Sequence, residues 1–195
     1  FLINVTSIFS EDIFNKLSHF MGTNPLVQFV LQPILIFGVI FHFVMGFYLE
    51  ILNAKSRKNN YSKFSGGSNS SWISRNLIFS GGVILVFLVI HFIDFWIPEM
   101  NYKYVEVLPE DPNRYFEELV HKFESPLKTA IYSFSFIFLA LHLLHGFSSS
   151  FKTVGVDSKY YNLIQKGTFL FSVIIPAGFV FIAVSYTHLT LPTTS

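Results

Sequence analysis

The chain has 195 residues, of which 51% are hydrophobic and only 13% are charged. Soluble domains carry about a quarter of charged residues, so this composition excludes an ordinary soluble core and favours a membrane protein. The absence of cysteine excludes disulfides, thiolate catalysis and cysteine-ligated iron–sulfur clusters within the chain. The net charge of +1 carries no message as a total, so we examine how the charges are distributed. We expect the lipid bilayer, and no nucleic acid, as a partner.

The first stretch, residues 1–24, is predicted to be a loop of mixed polarity that carries one short surface helix. The opening residues Phe1–Val5 are apolar and are predicted to be the tail of a helix that begins before this sequence. Ser10, followed by two acidic residues, is typical of a helix N-cap, which predicts a short helix over residues 13–20. His19 then lies on a surface helix, outside any long apolar run.

Four long apolar runs follow, and each is long enough to cross a bilayer, which takes about 20 residues. They cover residues 25–53, 72–97, 126–151 and 163–183. We therefore predict an all-α transmembrane helical bundle with four visible spans, and a fifth span before residue 1. Pro33 is expected to kink the first run, whereas Pro98 is expected to end the second.

The charges of the connecting segments give an orientation. Residues 54–71 are rich in Lys and Arg without any acid, and residues 152–159 carry two Lys and one Asp, whereas residues 99–125 are acidic. Because positive charge favours the cytoplasmic side, the first two loops are predicted to be cytoplasmic and the third to lie outside. Within the acidic loop, residues 113–123 are predicted to form a short amphipathic helix.

The end of the chain, residues 184–195, resembles a translated sequencing-library adapter. We therefore predict a transmembrane domain over residues 1–183 and a non-native tail beyond it, so that His188 has no role. The alternative is a genuine polar tail.

Two histidines lie at similar depth in two spans that run in the same direction. At a rise of about 1.5 Å per residue, His42 lies about 20 Å and His142 about 15 Å from the inner charged edge. His91 lies about 24 Å from that edge by the same measure, nearer the outer face. Imidazole is the commonest metal ligand, and two from facing helices can hold a haem iron. An interhelical hydrogen bond or a proton path is the alternative for each histidine.

Glycines accompany the pair at matching positions. Gly46 and Gly146 each follow a histidine by four residues, and Gly38 precedes His42 by one turn. A residue without Cβ lets a flat macrocycle approach the helix backbone. His145 shares a helix face with His142, but the glycine offset favours His142 as the axial ligand. His145 would then bond a propionate or line a quinone pocket.

Four segments together resemble a known family. Residues 19–25, the helix of His42, residues 91–96 and residues 141–147 are similar to the cytochrome b membrane anchor of succinate dehydrogenase and fumarate reductase, of the five-helix, two-haem, single-subunit type. The resemblance implies two b-type haems, the inner held by His42 and His142, the outer by His91 and a histidine preceding residue 1.

The resemblance also implies partners, a place and a reaction. A flavoprotein subunit and an iron–sulfur subunit would dock on the cytoplasmic face of a bacterial inner membrane, and succinate would be oxidised on the flavoprotein. This chain would be a non-catalytic electron carrier to menaquinone. Asp94, His19 and Glu11 are candidates for proton exchange near the quinone, with a solvated helix end or a surface side chain as the alternative.

Two other functions remain open from the sequence. One is the haem b anchor of another respiratory dehydrogenase or a hydrogenase, which would keep the histidines but not residues 19–25 and 91–96. The other is a transporter without haem that relays protons through histidines. That function predicts polar residues along a path, whereas the spans carry very few acids.

Overall fold

The computed structural model describes residues 1–56, 77–153, 155 and 158–190, without the side chains of residues 56, 152, 158, 159 and 188–190. All regular structure in these residues is helical. The α-helices are α1 (Leu2–Phe9), α2 (Glu11–Thr23), α3 (Gln32–Ser56), α4 (Leu77–His91), α5 (Ile97–Met100), α6 (Arg114–Phe123), α7 (Pro126–Thr153) and α8 (Ser158–Thr190).

Four helical segments are long and apolar enough to cross a membrane: Val27–Lys55, Leu77–Val105, Pro126–Phe151 and Tyr160–Thr187. This confirms the predicted all-α transmembrane bundle with four visible spans. Many large apolar side chains on these segments are exposed, which is the arrangement expected where lipid tails provide the surroundings.

Turns of π-helix extend two of the spans across their prolines. The turn Val27–Leu31 comes two residues before Pro33, and the turn Phe92–Trp96 comes two residues before Pro98. A proline lacks an N–H and clashes with the carbonyl four residues back, and a widened turn relieves both. The prediction that Pro98 ends the second span is therefore wrong, because the helix continues through α5 and a further π turn, Asn101–Val105.

The predicted amphipathic helix over residues 113–123 is confirmed as α6. It packs on α2, and the N-terminal end of α7 follows it directly. The start of α3, the end of the second span and the start of α7 thus lie at one end of the bundle, in a layer with α2 and α6. Which side of a membrane this layer faces stays a prediction, and the predicted cytoplasmic loops lie largely outside the described residues.

The first 24 residues are helical, not a loop. Ser10 caps α2 by accepting a hydrogen bond from the Ile13 N–H at 3.3 Å, so the predicted N-cap is confirmed. The preceding residues form α1, which packs against α8. The aromatic ring of Phe1 packs against Phe179, with ring centroids 5.3 Å apart.

The best-packed part of the bundle is an aromatic cluster between α4, α6, α7 and α8. Tyr132 is at its centre, with ring centroids 5.2 Å from Phe87 and 5.1 Å from Phe123. By contrast, α3 contributes no buried side chain to the described core. The first span is thus attached at the edge of the bundle, where it contacts α4.

Helix α8 continues without a break into residues 184–190. Within this stretch Tyr186 is buried against Phe116, and the Thr187 hydroxyl lies 2.9 Å from the Phe123 carbonyl oxygen. Its first residues therefore take part in the packing of this structure. The origin of the segment as a non-native tail stays a prediction.

Candidate functional site

The structure brings His42 of α3 and His142 of α7 together. Their ring centroids are 6.2 Å apart, and the ring planes are nearly perpendicular, at 86°. The His42 side chain lies on the exposed face of α3, whereas His142 is half-buried. This pair brings ligand-type side chains of the edge span and of α7 next to each other.

Helix α4 contacts the His142 ring through two neighbouring residues. The Ser80 hydroxyl oxygen lies 3.1 Å from His142 Nδ1, and Ser80 itself is buried, at 6% exposure. A Cβ atom placed on the neighbouring Gly81 would lie 3.7 Å from His142 Cε1. One edge of the imidazole therefore faces α4, and the hydrogen bond with Ser80 holds Nδ1 in place.

The glycines predicted to accompany the pair border open space. A Cβ atom built at Gly38, Gly46 or Gly146 would meet no neighbouring atom within 4 Å. Packing among the described residues therefore does not require glycine at these three positions. A flat group lying against α3 or α7 is a reason for glycine that is compatible with this space.

His145 is placed differently from His142. Its Nε2 lies 3.3 Å from the hydroxyl of Ser149, one turn further along α7. This local contact uses the nitrogen that a haem ligand usually offers, whereas His142 has its Nδ1 engaged. The geometry therefore agrees with the preference for His142 over His145 as a ligand.

His91 lies in an aromatic environment at the other end of the bundle. Its ring is 5.8 Å from Phe87, 5.1 Å from Phe95 and 6.4 Å from Tyr132 between centroids. Its Nδ1 is buried and has no hydrogen-bond partner in the part of the chain that the structure describes. Such an orphaned atom is uncommon in a folded protein and calls for a partner.

Asp94, one turn after His91, is the buried acid of the spans. It is 7% exposed, and both carboxylate oxygens are engaged. Lys128 Nζ donates to one at 2.6 Å and the Tyr132 hydroxyl to the other at 3.0 Å. The alternative of a solvated helix end at Asp94 is therefore not met, because α7 places these two donors over its carboxylate.

A polar cleft of about 260 Å³ opens in the layer of α2 and α6. Its walls include His19, Lys103, Glu110, Arg114 and Tyr115. His19 Nδ1 is buried without a hydrogen-bond partner among the described residues, and its Nε2 lies 3.9 Å from Glu110. His19 is thus partly buried in a cleft, and the expectation of a plain surface histidine is not met.

Glu99 holds together two cations that line this cleft, a role that the sequence did not predict. It pairs with Arg114 and, at 2.5 Å, with Lys103, which also donates to the Gly22 carbonyl oxygen. The Arg114 guanidinium lies over the rings of Tyr102 and Tyr115, at 4.1 and 4.5 Å from their centroids. The one signal in the sequence was the spacing of Glu99 and Lys103 by four residues, which favours an ion pair on a helix. Because Pro98 was predicted to end the helix, this pair was not predicted.

The ionisation of this cluster follows from its surroundings. Burial raises the pKa of the Tyr115 phenol from 10.0 to about 12, and the neighbouring Glu99 carboxylate adds to the rise. Burial disfavours the charged form of Arg114, but its bonds to Glu99 and Glu118 outweigh this and raise the guanidinium pKa. Arg114 is therefore a permanent cation and Tyr115 a neutral donor across the physiological range.

The described residues contain no group of three or more His, Asp or Glu side chains placed to hold a metal ion. An ion held by protein side chains alone is therefore not favoured at the histidine pair. Two axial imidazoles suffice, however, when a macrocycle provides the remaining ligands. Glu11, the third proton-exchange candidate, lies exposed at the start of α2.

Comparisons with known proteins leave the family open. The chain matches no family model, no curated protein and no solved structure.

Proposed function

We propose that the chain is a haem-b-containing membrane anchor of a succinate:quinone oxidoreductase, which carries electrons between an iron–sulfur subunit and a quinone. The observation that carries the proposal is the His42–His142 pair. Two imidazoles that share one metal, with metal–nitrogen bonds of about 2 Å, place their ring centroids about 6 Å apart. The observed separation of 6.2 Å supports such sharing.

The donor set also agrees with haem. Two imidazoles, with no further Asp or Glu placed to complete a metal site in the described part of the chain, suit a haem iron better than a hard divalent ion. The open space at Gly46 and Gly146 lies one turn beyond each ligand. When bound, haem b supplies one-electron transfer, at a potential that its axial ligands, burial and hydrogen bonds adjust.

The chain's own residues have three tasks in this function. His42 and His142 would hold the iron from two helices, and the apolar side chains of the spans would keep water away from it. Near the other end, Asp94 offers a carboxylate that Lys128 and Tyr132 hold in place. We assign to Asp94 the exchange of protons that accompanies quinone reduction, with His19 in the neighbouring cleft as the second candidate.

The outer haem is part of the proposal but has only one ligand in this chain. His91 would be that ligand, and its buried and unpartnered Nδ1 supports a role beyond packing. The second histidine would lie in the helix that the resemblance implies before residue 1. The flavoprotein and iron–sulfur partners, menaquinone as acceptor, and the bacterial inner membrane likewise rest on the resemblance of four segments.

A reduced-minus-oxidised spectrum tests the central claim. The protein is expressed in haem-producing cells and purified in detergent, and we expect the absorbance of a b-type cytochrome after dithionite. His42→Ala and His142→Ala should each remove the same haem, whereas His145→Ala and the exposed His121→Ala should retain it. Absence of b-type absorbance from the unmodified protein overturns the proposal, and so does loss of different haems from the two variants.

A second measurement identifies the partner enzyme. In membranes that contain the flavoprotein and iron–sulfur subunits, succinate should reduce the haem, and His42→Ala should abolish that reduction. Reduction by hydrogen or formate instead would identify the anchor of another respiratory enzyme.

A proton-coupled transporter is the second candidate, because the buried Asp94, with its partner Lys128, is the kind of group that transporters use inside a membrane. It predicts no haem in the purified protein, and proton movement in vesicles that Asp94→Asn abolishes.

A further inference from the structure

Ser80 is the one buried hydroxyl that contacts a candidate ligand among the described residues. It lies in the apolar helix α4, and its oxygen has two neighbours: the Leu77 carbonyl oxygen at 2.9 Å and His142 Nδ1 at 3.1 Å. A serine hydroxyl has one proton and can therefore donate to only one of them. The choice between the two decides which nitrogen of His142 carries its proton.

The Leu77 carbonyl is the better acceptor for that proton. A carbonyl oxygen can only accept a hydrogen bond, whereas the ring nitrogen Nδ1 can either donate or accept one. Serines inside apolar helices commonly bond back to a carbonyl three or four residues earlier. When the Ser80 hydroxyl donates its hydrogen to the Leu77 carbonyl oxygen, a lone pair of the Ser80 oxygen faces Nδ1. Nδ1 must then carry the hydrogen of this second bond. A neutral imidazole with Nδ1–H has a free lone pair on Nε2.

We propose that Ser80 is a positioning residue, which holds His142 as the Nδ1–H tautomer and directs Nε2 toward the iron. The part that concerns the iron rests on the proposed function, whereas the part that concerns the tautomer does not. Gly81, the next residue of α4, supports the same orientation, because a Cβ atom placed there would lie only 3.7 Å from Cε1, the carbon between the two ring nitrogens. A ligand histidine bonded through its second nitrogen is a stronger base and a better oriented ligand.

The tautomer is tested first, in protein prepared without haem. Nitrogen NMR of ¹⁵N-histidine-labelled protein in lipid distinguishes a protonated from an unprotonated ring nitrogen, and His142→Gln identifies the signal. We expect His142 with Nδ1 protonated and Nε2 free, and a mixture of tautomers in Ser80→Ala. An Nε2–H tautomer in the unmodified protein overturns the proposal.

The ligand role is tested by haem titration and by redox potentiometry of Ser80→Ala. Loss of such a supporting bond typically lowers metal affinity about 10- to 100-fold. We expect haem affinity to fall by about 10-fold at the low end of that range, and the midpoint potential to rise, because a less basic imidazole stabilises the ferric state less. Ser80→Thr, which retains a hydroxyl, should restore both values.

Ser135→Ala is the matched control. Ser135 is also a buried serine in a span, and its hydroxyl donates to the Ile131 carbonyl oxygen at 2.8 Å without a histidine partner. It should leave affinity and potential unchanged. Equal behaviour of Ser80→Ala and Ser135→Ala overturns the positioning role. If the unmodified protein binds no haem at all, the proposed function fails, and the NMR measurement alone decides the role of Ser80.

Discussion

Glu99 is surrounded by three polar side chains at the end of the bundle that carries α2 and α6. Its carboxylate accepts from Lys103 and Arg114, and the Tyr115 hydroxyl lies 3.4 Å away. Both cations are largely shielded from water, with side chains 17% and 11% exposed. Removing the negative charge of Glu99 would leave these two shielded cations close together without their shared partner. The resulting loss of folding free energy is larger than that from losing one exposed ion pair.

We therefore predict that Glu99→Gln destabilises the protein by about 1–3 kcal/mol, the usual cost of leaving buried polar groups unsatisfied. The measurement is unfolding by sodium dodecyl sulfate in mixed micelles, followed by circular dichroism.

Asp12→Asn is the control for this prediction. It removes the Lys16–Asp12 pair, whose side chains are 73% and 67% exposed, and such exposed pairs contribute about 0–1 kcal/mol. Equal effects of the two substitutions would contradict the central role of Glu99.

At the level of elements, α2 supplies the N-terminal cap of α6. The N-cap residue of α6, Asn113, makes no side-chain capping bond. Instead, Asn15 of α2 accepts a hydrogen bond from the Phe116 N–H, the third residue of α6, at 2.7 Å. Asn15 is 2% exposed. A free N–H in the first turn of a helix needs such an acceptor, so the bond joins the two helices of the layer.

Asn15→Ala should therefore destabilise the layer by about 1–3 kcal/mol and speed hydrogen exchange at the start of α6. Hydrogen exchange read by mass spectrometry checks this, because peptides that cover the first turn of α6 report it directly. Asn15→Asp keeps an oxygen acceptor beside a helix N-terminus and should retain most of the protection. Unchanged exchange in Asn15→Ala would show that the bond does not hold α6.

The two prolines show that the sequence of a helix does not by itself decide whether the helix ends at a proline. Pro33 was predicted to lie within a span and Pro98 to end one, yet the structure treats them alike, with a π turn two residues before each. Proline removes the same hydrogen bond at both positions. Whether the helix continues depends on what the following residues contact, and for Glu99 and Lys103 that is α2 and α6, far away in the sequence.

For the whole molecule, the structure places residues 106–113, which follow the second span, and the C-terminal end of α7 at opposite ends of the spans. The chain contains no cysteine, so a single introduced thiol reports its own location. Glu110→Cys and Thr153→Cys, both at exposed positions, should react with a membrane-impermeant maleimide from opposite sides of sealed vesicles. Labelling of both from one side would contradict the four-span arrangement.

The histidine pair could be predicted from the sequence because depth along a helix is a linear function of residue number. Thirteen residues before Lys55 and ten before Lys152 place His42 and His142 at similar levels, and loop charge gives both helices the same direction. Ser80 could not be predicted in the same way, since a serine in an apolar helix has no periodic signal. Its role depends on the rotation of α4 against α7.

The sequence by itself determined the fold class, the four spans, the two short surface helices and the histidines of interest, because hydrophobicity, capping and helical rise are local properties. Only the tertiary structure decided which side chains meet. It placed α3 at the edge of the bundle, Lys128 and Tyr132 on Asp94, Arg114 and Lys103 on Glu99, and Ser80 behind His142. These contacts depend on how helices rotate and pack against one another, and that follows from the combined shape of all their side chains.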